Sequence, residues 1–592
     1  MPNSGLLLTL VRFLLTPALI STLWIYFYPF LHGCEFPEPP PQRSEPEVCY
    51  LNPQASHGKA PQDPNGATTG SRGGLLGLGK QVVHTWKEIS EDGRNKLAGR
   101  KAPFRLLALG DPQLEGDTSL PNSDEPTFPS LKQLFEKHIF KNKEDGRPLE
   151  KELVGCMRIL ESFRDLVVQD VPRLFGSWRK RLDLWGNDYY LAHVYRSMKW
   201  WAGPTHVTVL GDLVGSQWID DNEFEWRAWR FWNRVFSDGQ KIEDLTALGD
   251  GSDEPGDDLG VEKAWENRII NIAGNHDIGY AGEVDGSAID RFEKQFGRVN
   301  WDRWVRLPRI PSSDSNPQTS APLSPFDSTA SRINSDPVIR LVVLNDMNLD
   351  GPVYSHAHQS DTYSFINSVI STSRPVEDPS VLTVLLTHVP LHKQAGVCID
   401  APYFSYYEEN AGLLREQNHL SEFASRQVLQ SIFGMSGDRG APRAGMGRMG
   451  IILDGHDHEG CDVWHYFNRS ETTDISGESA ETKTGDWAAL PYPIARRAKL
   501  PVSSDIPGIR EVTVRSMMGS YGGNAGLLSA WYEEGAKGRE AGEWKVEYAA
   551  CPFVVQHVWW AVHVVDLILL GLVLAAVVSY CSQWGSRRHS RG

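Results

Sequence analysis

The segment MGIILDGHDH, residues 449–458, changes abruptly from apolar to polar at Asp454. Its apolar half is a short run bounded by glycines, which is typical of a buried β-strand. Its polar half places two histidines directly after that strand. Because open α/β sheets assemble their sites at the carboxyl ends of strands, the segment predicts a strand that delivers two imidazoles to a functional site.

Six further apolar runs of this kind recur along the chain, many of them rich in β-branched residues. They are FRLLALG (104–110), THVTVLG (205–211), RIINIAG (268–274), VIRLVVLN (338–345), SVLTVLLT (380–387) and REVTVRSM (510–517). Helical stretches lie between several of them, so the pattern predicts an α/β domain. Polar or Gly-rich inserts are interpreted as surface loops within this one domain, at about 237–260, 311–337, 434–447 and 468–485.

Four of these runs end in a polar signature of their own. These signatures are Asp111-Pro112-Gln113, Gly211-Asp212, Gly274-Asn275-His276-Asp277 and Thr387-His388. Carboxylate and amide oxygens together with imidazole nitrogens suit manganese, iron and zinc. Each signature alone has an ordinary explanation, such as a turn or a core histidine. All five in this order, each after an apolar run, predict a divalent-metal centre.

The ordered signatures resemble the calcineurin-like metallophosphoesterase superfamily, whose pattern is DxH, GD, GNHD or GNHE, a lone H and GHxH. The resemblance covers about residues 104–518 and implies a four-layer α-β-β-α sandwich with two divalent ions. By this resemblance Asp111 and His458 bind the first metal and Asp212 bridges the two. The second metal is then bound by Asn275, His388 and His456.

Three further residues of these signatures differ from the superfamily pattern or lie beside the predicted ligands. Gln113 stands where the superfamily usually has a histidine, and its amide oxygen is a harder and weaker ligand than imidazole. A first site that includes Gln113 therefore favours manganese or magnesium, and manganese is the expected ion. The resemblance makes His276 the acid that meets the departing oxygen. Asp277 either orients His276 or caps a helix.

Both ends of the chain are apolar. Residues 13–31 carry no charge and residues 558–580 carry only Asp566. Each segment is long enough to cross a hydrocarbon layer of roughly 30 Å as a helix. Basic residues flank the outer side of each segment, which predicts cytoplasmic termini and a lumenal middle. A cleaved signal peptide is the alternative for the first segment, and Asp566 contacts either a partner helix, a headgroup or a water-accessible face.

These features divide the 592 residues into six parts. They are a cytoplasmic N-terminus (1–12), a transmembrane helix (13–31), a flexible lumenal stalk (32–81), a metallophosphoesterase domain with insertions (82–550), a second transmembrane helix (558–580) and a basic cytoplasmic tail (581–592). The net charge of −16 disfavours nucleic acid as a partner. Six of the seven cysteines would lie in the lumen, where disulfides persist, and Asn468-Arg469-Ser470 is a glycosylation sequon.

Two further groups of residues carry open alternatives. Trp226, Trp229 and Trp232 recur every three residues in a helix expected over 220–236, and core packing is favoured over carbohydrate stacking or membrane contact. A second group either lines the substrate cleft or forms a Gly-rich turn without a ligand; it comprises Arg515, Ser516, Ser520, Tyr521 and Asn524.

The apolar ends and the runs GDPQ, NHDIGY, GHDHEGCD and VRSMMGSYGG are together similar to the GPI-anchor-remodelling phosphodiesterases of the endoplasmic reticulum (ER). This resemblance implies hydrolysis of an ethanolamine-phosphate side branch from the mannose core of GPI glycans, in support of ER exit of GPI-anchored proteins. It implies GPI-linked glycans or GPI-anchored proteins as substrates, an ER membrane location and a link to the ER export machinery. Two alternatives stay open: another phosphate ester as substrate, or a membrane cargo adaptor whose metal site has degenerated at Gln113.

Overall fold

The computed structural model of the protein describes residues 4–40, 101–116, 126, 128–134, 160–242, 257–259, 263–307, 336–409, 412–469, 485–534 and 542–589. Its strands are β1 (Phe104–Leu109), β2 (His206–Val209), β3 (Gln240–Lys241), β4 (Asp257–Asp258), β5 (Arg268–Asn271), β6 (Trp301–Arg306), β7 (Val338–Val343), β8 (Val381–Leu386), β9 (Phe404–Tyr406), β10 (Leu414–Gln417), β11 (Gly450–Asp454), β12 (Cys461–Asn468), β13 (Asp486–Pro491), β14 (Gly508–Thr513), β15 (Gly522–Glu533) and β16 (Glu543–Val555). Its α-helices, in chain order, are Ser4–Tyr26, Tyr28–Leu31, Pro129–Leu134, residues 160–165, Val171–Ala202, Asp221–Arg230, Asn275–Ile278, Gly286–Phe296, His356–Ser371, Glu422–Phe433, Tyr492–Arg497 and Gln556–His589.

Two large mixed sheets organise these strands. One sheet has the order β16-β15-β1-β2-β5-β3 and the other has the order β13-β12-β14-β11-β8-β7-β6-β4. The centre of each sheet is parallel: β1 with β2 and β5, and β14 with β11, β8 and β7. Parallel neighbours point their carboxyl ends to the same edge, so the polar signatures of each sheet gather there. The predicted α/β class and all seven predicted strands are confirmed.

The core follows from the two-residue period of the strands. Leu106 and Ala108 of β1 belong to a hydrophobic cluster that also contains residues of β7, β8, β11 and β14 from the other sheet. Leu107 and Leu109 of β1 belong instead to a cluster that contains residues of several helices. Successive side chains of a strand point to opposite faces, so one face of the first sheet packs toward the second sheet and the other toward helices.

The helix that carries the tryptophans departs from expectation. Trp226 and Trp229 are 47% and 46% exposed, and their rings stack in parallel 4.9 Å apart. The prediction of core packing is therefore wrong for these two residues, because the helix buries the face that carries Phe224 and Ala228. Trp232 does pack against the core; it lies beyond the change to π-helical geometry at Phe231–Val235, which turns later side chains relative to earlier ones.

Two terminal helices, Ser4–Tyr26 and Gln556–His589, are long and apolar enough to cross a membrane. We call them the N-terminal span and the C-terminal span. The N-terminal helix starts at Ser4, earlier than the predicted residue 13, and a separate turn at Tyr28–Leu31 follows it, with Pro29 in its first turn.

A hydrogen-bonded contact and a disulfide hold the spans together. Thr22 Oγ1 of the N-terminal span donates hydrogen bonds to both carboxylate oxygens of Asp566, at 2.8 and 3.0 Å. Asp566 thus contacts a partner helix, the first of its three alternatives. A disulfide joins Cys34, shortly after the N-terminal span, to Cys551, shortly before the C-terminal span. The two helices are therefore antiparallel, and the N-terminus and C-terminus of the chain lie at the same end of the pair.

A second disulfide, Cys398–Cys461, links the loop after β8 to the start of β12, and Cys581 is exposed and free. Several predicted features lie outside the described residues. They are the stalk beyond residue 40, Cys49, Cys156, most of the insert at 311–337 and Ser470 of the sequon.

Candidate metal centre

The polar signatures of the two sheets meet where their strand ends approach each other. The backbone N–H of His456, after β11, donates to both carboxylate oxygens of Asp111, after β1, at 3.2 and 3.1 Å. His388, after β8, places its ring Nδ1 2.7 Å from the carbonyl oxygen of Leu210, after β2. The five predicted signatures therefore form one site between the sheets.

The backbone of this site is unusual. Asp111, Gln113, Asp212 and His456 have φ angles of 35°, 39°, 48° and 71°. Residues other than glycine seldom adopt positive φ, and such strained conformations concentrate at functional sites. The fold therefore holds four of the predicted metal ligands in a backbone conformation that is sterically unfavourable for residues with a side chain.

Two glycines make room for the ligands in different ways. Gly211 has a φ of 95°, and a Cβ there would lie 2.1 Å from the Nδ1 of His388. Gly274 is extended, with a φ of −110°, but a Cβ there would lie 2.3 Å from a carboxylate oxygen of Asp212. Gly211 is thus required for both its turn and its space, and Gly274 for space alone.

Asp212 lies at the centre of the site. Its Oδ1 is 3.3 Å from the Nε2 of His388, and its Oδ2 accepts a hydrogen bond from the Nε2 of Gln113 at 3.1 Å. Asp212, His388 and His456 each offer a ligand atom, and these atoms lie within 4.8 Å of one another. The fold thus gathers three of the predicted ligands at a spacing that fits a metal ion.

The two histidines are held as metal-binding histidines usually are. His388 directs Nδ1 to a carbonyl, which leaves its Nε2 facing the Oδ1 of Asn275 at 3.1 Å. The Nε2 of His456 lies 2.9 Å from the carbonyl oxygen of Gln417, which leaves its Nδ1 free to bind. A carbonyl on one ring nitrogen fixes the tautomer and presents the other nitrogen. Burial and the nearby His388 lower the pKa of His456 to about 3, so this ring is neutral.

The remaining predicted ligands form the other half of the site. The Nε2 atoms of Gln113 and His458 lie 3.1 Å apart, and turning the Gln113 amide about its last bond would present its oxygen instead. Asp111 is buried, and this burial raises its pKa to about 8. Burial alone would lower the pKa of His388, but Asp212 and Asp111 together raise it to about 10. A buried carboxyl group and a buried imidazole that both carry protons near neutral pH fit a divalent metal, which would replace those protons.

His276 and Asp277 have different surroundings. The His276 side chain is 35% exposed, its Nε2 is 3.9 Å from the Oδ2 of Asp212, and its backbone N–H donates to Asp212 at 2.9 Å. Asp277 is fully buried and accepts the backbone N–H groups of Leu213, Val214 and Gly274 at 2.9–3.1 Å. Asp277 thus ties the loop after β2 to the loop after β5, which favours a structural role.

A group of polar residues near the site carries no motif and was not predicted. Glu283 accepts hydrogen bonds from the Nε1 of Trp218 and the Nε2 of Gln217, both at 3.2 Å, and from the hydroxyl of Tyr407. The Trp218 side chain is 74% exposed. The sequence offered one signal, since Trp218 and Glu283 each follow a metal-site signature by a few residues. Tyr407 comes from a distant hairpin.

The residues after β14 adjoin the metal centre. Ser516 donates from its hydroxyl to the carbonyl of Asp111 at 3.1 Å, and Arg515 forms an ion pair with Glu459 at 2.9 Å. A Cβ on Gly519 would lie 3.0 Å from the carbonyl oxygen of His458. This segment therefore lies beside the site rather than in a remote turn.

Comparisons with known proteins identify several similar chains, some of them metallophosphoesterases. No protein-family model matches the chain. The chain is 33% identical to Protein TED1 of Saccharomyces cerevisiae over 438 residues, which are 66% of this chain and 78% of that protein. It is 26% identical to an uncharacterized protein of Schizosaccharomyces pombe over 424 residues (68% and 83% of the two chains) and 25% identical to Metallophosphoesterase 1 of Ailuropoda melanoleuca over 292 residues (44% and 60%).

The two mixed sheets and the candidate metal site at their shared edge agree with the similarity to Metallophosphoesterase 1. With the similarity to Protein TED1, the chain belongs to the GPI-related metallophosphoesterase family.

Proposed function

We propose that the protein is a membrane-anchored phosphodiesterase that removes an ethanolamine-phosphate branch from the mannose core of GPI glycans in the ER lumen. The observation that most directly supports this proposal is the convergence of Asp212, His388 and His456. Their potential ligand atoms lie within 4.8 Å of one another, at the edge where five strands end. The lumenal placement, the four-layer sandwich and a role in ER exit of GPI-anchored proteins belong to the same proposal.

The ligands divide between two ions. Asp111, Gln113, Asp212 and His458 would hold one ion, and Asn275, His388 and His456 would hold the other, with Asp212 shared. When bound, divalent ions supply Lewis acidity at the phosphoryl group and lower the pKa of an attacking water. Manganese is the expected metal, because Gln113 adds an oxygen ligand where the superfamily usually has a nitrogen.

His276 is the proposed proton donor to the leaving alkoxide. Its hydrogen bond from backbone N–H to Asp212 keeps the residue beside the shared ligand, and its partial exposure gives substrate access to the ring. Its Nδ1 is buried without a hydrogen-bond partner among the described residues. Asp277 maintains the loop on which His276 stands.

The position of the site near the membrane supports a lipid-linked substrate. The turn Gly519–Tyr521 lies against His458 at Gly519, and the ring of Tyr521 is 4.8 Å from that of His557 in the first turn of the C-terminal span. The metal centre is therefore only one short turn of chain away from an end of that span. This is the end that Cys34 and Cys551 mark, and the basic residues that flank the opposite ends of the spans support its proposed lumenal position.

The test uses the full chain in lipid nanodiscs with manganese and a GPI glycan that carries the branch. Mass spectrometry follows the release of ethanolamine phosphate, with Asp212→Asn and His276→Ala as variants. We expect release by the wild type and its loss in both variants.

Hydrolysis of a simple phosphodiester without release from the glycan would move the assignment to another phosphate ester. If no metal is bound and no ester is hydrolysed, the adaptor alternative replaces the enzyme.

A further inference from the structure

An exposed apolar stripe runs along the helix Val171–Ala202, which we call the long helix. Phe175, Trp178, Leu182 and Trp185 are 70%, 60%, 55% and 44% exposed. Their spacing of three, four and three residues places them on one helical face. Among the described residues none covers this face, and a contiguous exposed patch of large apolar side chains marks an interaction surface.

The long helix contacts the same end of both membrane spans. The indole N–H of Trp201 donates to the carbonyl of Tyr26, the last residue of the N-terminal span, at 3.2 Å. A Cβ on Gly186 would lie 1.5 Å from Trp560, which is in the first turns of the C-terminal span. The long helix therefore packs against both spans at the end that Cys34 and Cys551 mark.

The length of the long helix shows where the stripe lies. Its 32 residues extend for about 48 Å, at about 1.5 Å per residue. Two packed helices, each about 10–12 Å across, are only about 20–24 Å wide together. The contacts with the spans at Gly186 and Trp201 lie at the middle and near the end of the long helix, so the part that carries the stripe, from Val171 to Trp185, continues beyond them.

The charges of this part suit a membrane interface. Arg173, Arg179 and Arg181 are exposed on the half that carries the stripe. Arg179 pairs with Asp183 at 3.7 Å, and the two side chains are 86% and 52% exposed. Helices that lie in the plane of a bilayer combine an aromatic and aliphatic face with a basic polar face. Long basic side chains can also extend from the apolar boundary to the headgroups.

We propose that the stripe of Phe175, Trp178, Leu182 and Trp185 binds lipid, with the long helix lying in the leaflet that surrounds Tyr26 and Gln556. This binding would also anchor the metal centre, because Lys180 beside the stripe pairs with Glu115 at 3.5 Å. Glu115 follows the predicted ligand Gln113 by two residues. The proposal does not depend on the reaction that the site performs.

The test is photo-crosslinking of the full chain in phosphatidylcholine nanodiscs. p-Benzoylphenylalanine replaces Phe175 or Leu182 in two variants and Asp183 in a third, matched control. Asp183 neighbours Leu182 and is also exposed, but it lies on the polar face. After irradiation, mass spectrometry identifies what is attached to each position. Retention of both disulfides shows that each variant is folded.

We expect phosphatidylcholine adducts at positions 175 and 182, at least about tenfold above those at position 183, as for an interfacial helix. Equal and low yields of lipid adduct at all three positions would overturn the proposal, because the stripe would then face water. Adducts to peptides would also overturn it, since a second copy or another segment of the chain would then cover the stripe.

Discussion

At the scale of single residues, Gln113 is the position that most affects metal choice. Its Nε2 lies 3.1 Å from both the Oδ2 of Asp212 and the Nε2 of His458. We predict that Gln113→His shifts the bound metal from manganese toward zinc, because imidazole is the softer ligand. Metal analysis after equilibration with equal concentrations of both ions measures the shift. Gln113→Ala is the matched control and should lower total metal content. Unchanged selectivity in Gln113→His would show that residue 113 is not a ligand.

The protonation of the buried ligands predicts a pH dependence of metal binding. The pKa of Asp111 is raised to about 8, chiefly by burial, and that of His388 to about 10 by Asp212 and Asp111, so both groups carry protons near neutral pH without metal. A metal needs them deprotonated. Affinity should therefore rise with pH, by roughly tenfold per pH unit below 8 for each proton released. Calorimetry in buffers of different ionisation enthalpy measures the metal affinity and the number of protons released on binding. An affinity that does not change with pH, without proton release, would contradict the assignment of Asp111 and His388 as metal ligands.

The convergence of the predicted ligands could be foreseen from the sequence because each follows an apolar strand run, and the strand carries it to the shared edge. Glu283 and Gln417 could not be predicted. Gln417 contributes a backbone carbonyl to His456, and any residue type has one. Glu283 acts through partners brought together by the tertiary fold.

At the scale of elements, the Asp277 carboxylate joins two loops through three backbone N–H groups. We predict that Asp277→Ala destabilises the metal-free protein by about 3–5 kcal/mol and lowers metal content, because it leaves buried donors without a partner. Thermal unfolding and metal analysis measure the two effects.

Asp285→Ala is the matched control. Asp285 caps the helix Gly286–Phe296 and accepts the N–H of Ala288 at 2.9 Å. Its loss should cost about 1 kcal/mol without change in metal content. If instead Asp277→Ala stays stable and changes only the pH profile of catalysis, Asp277 orients His276.

The predicted strands share one physical property, which is burial in a parallel arrangement. Such strands read as continuous apolar runs. β12 alternates buried and half-exposed residues, and glycines open β15, so neither gives such a run. The prediction that Trp226 and Trp229 pack in the core was wrong for a related reason. Residue spacing predicts that side chains share a helical face, but it does not predict which face is buried.

At the scale of the whole molecule, the Cys34–Cys551 disulfide and the Thr22–Asp566 contact make the two spans one unit. We predict that Cys34→Ser with Cys551→Ser lowers stability by about 2–4 kcal/mol while metal content stays the same. Cys398→Ser with Cys461→Ser is the contrasting pair. That disulfide lies close to the predicted ligand His458, so its loss should lower metal retention. Peptide mapping without reduction that pairs Cys34 with another cysteine would contradict this account.

We propose that this chain is a metal-dependent phosphodiesterase, and one titration tests that proposal most directly. The full chain is stripped of metal, manganese is added stepwise, and hydrolysis of bis(p-nitrophenyl) phosphate is followed alongside Asp212→Asn. We predict activity that appears with metal and saturates near two equivalents, with the variant reduced by at least about a hundredfold. A folded wild type that binds manganese without hydrolysing the ester, or an Asp212→Asn variant as active as the wild type, would contradict the claim.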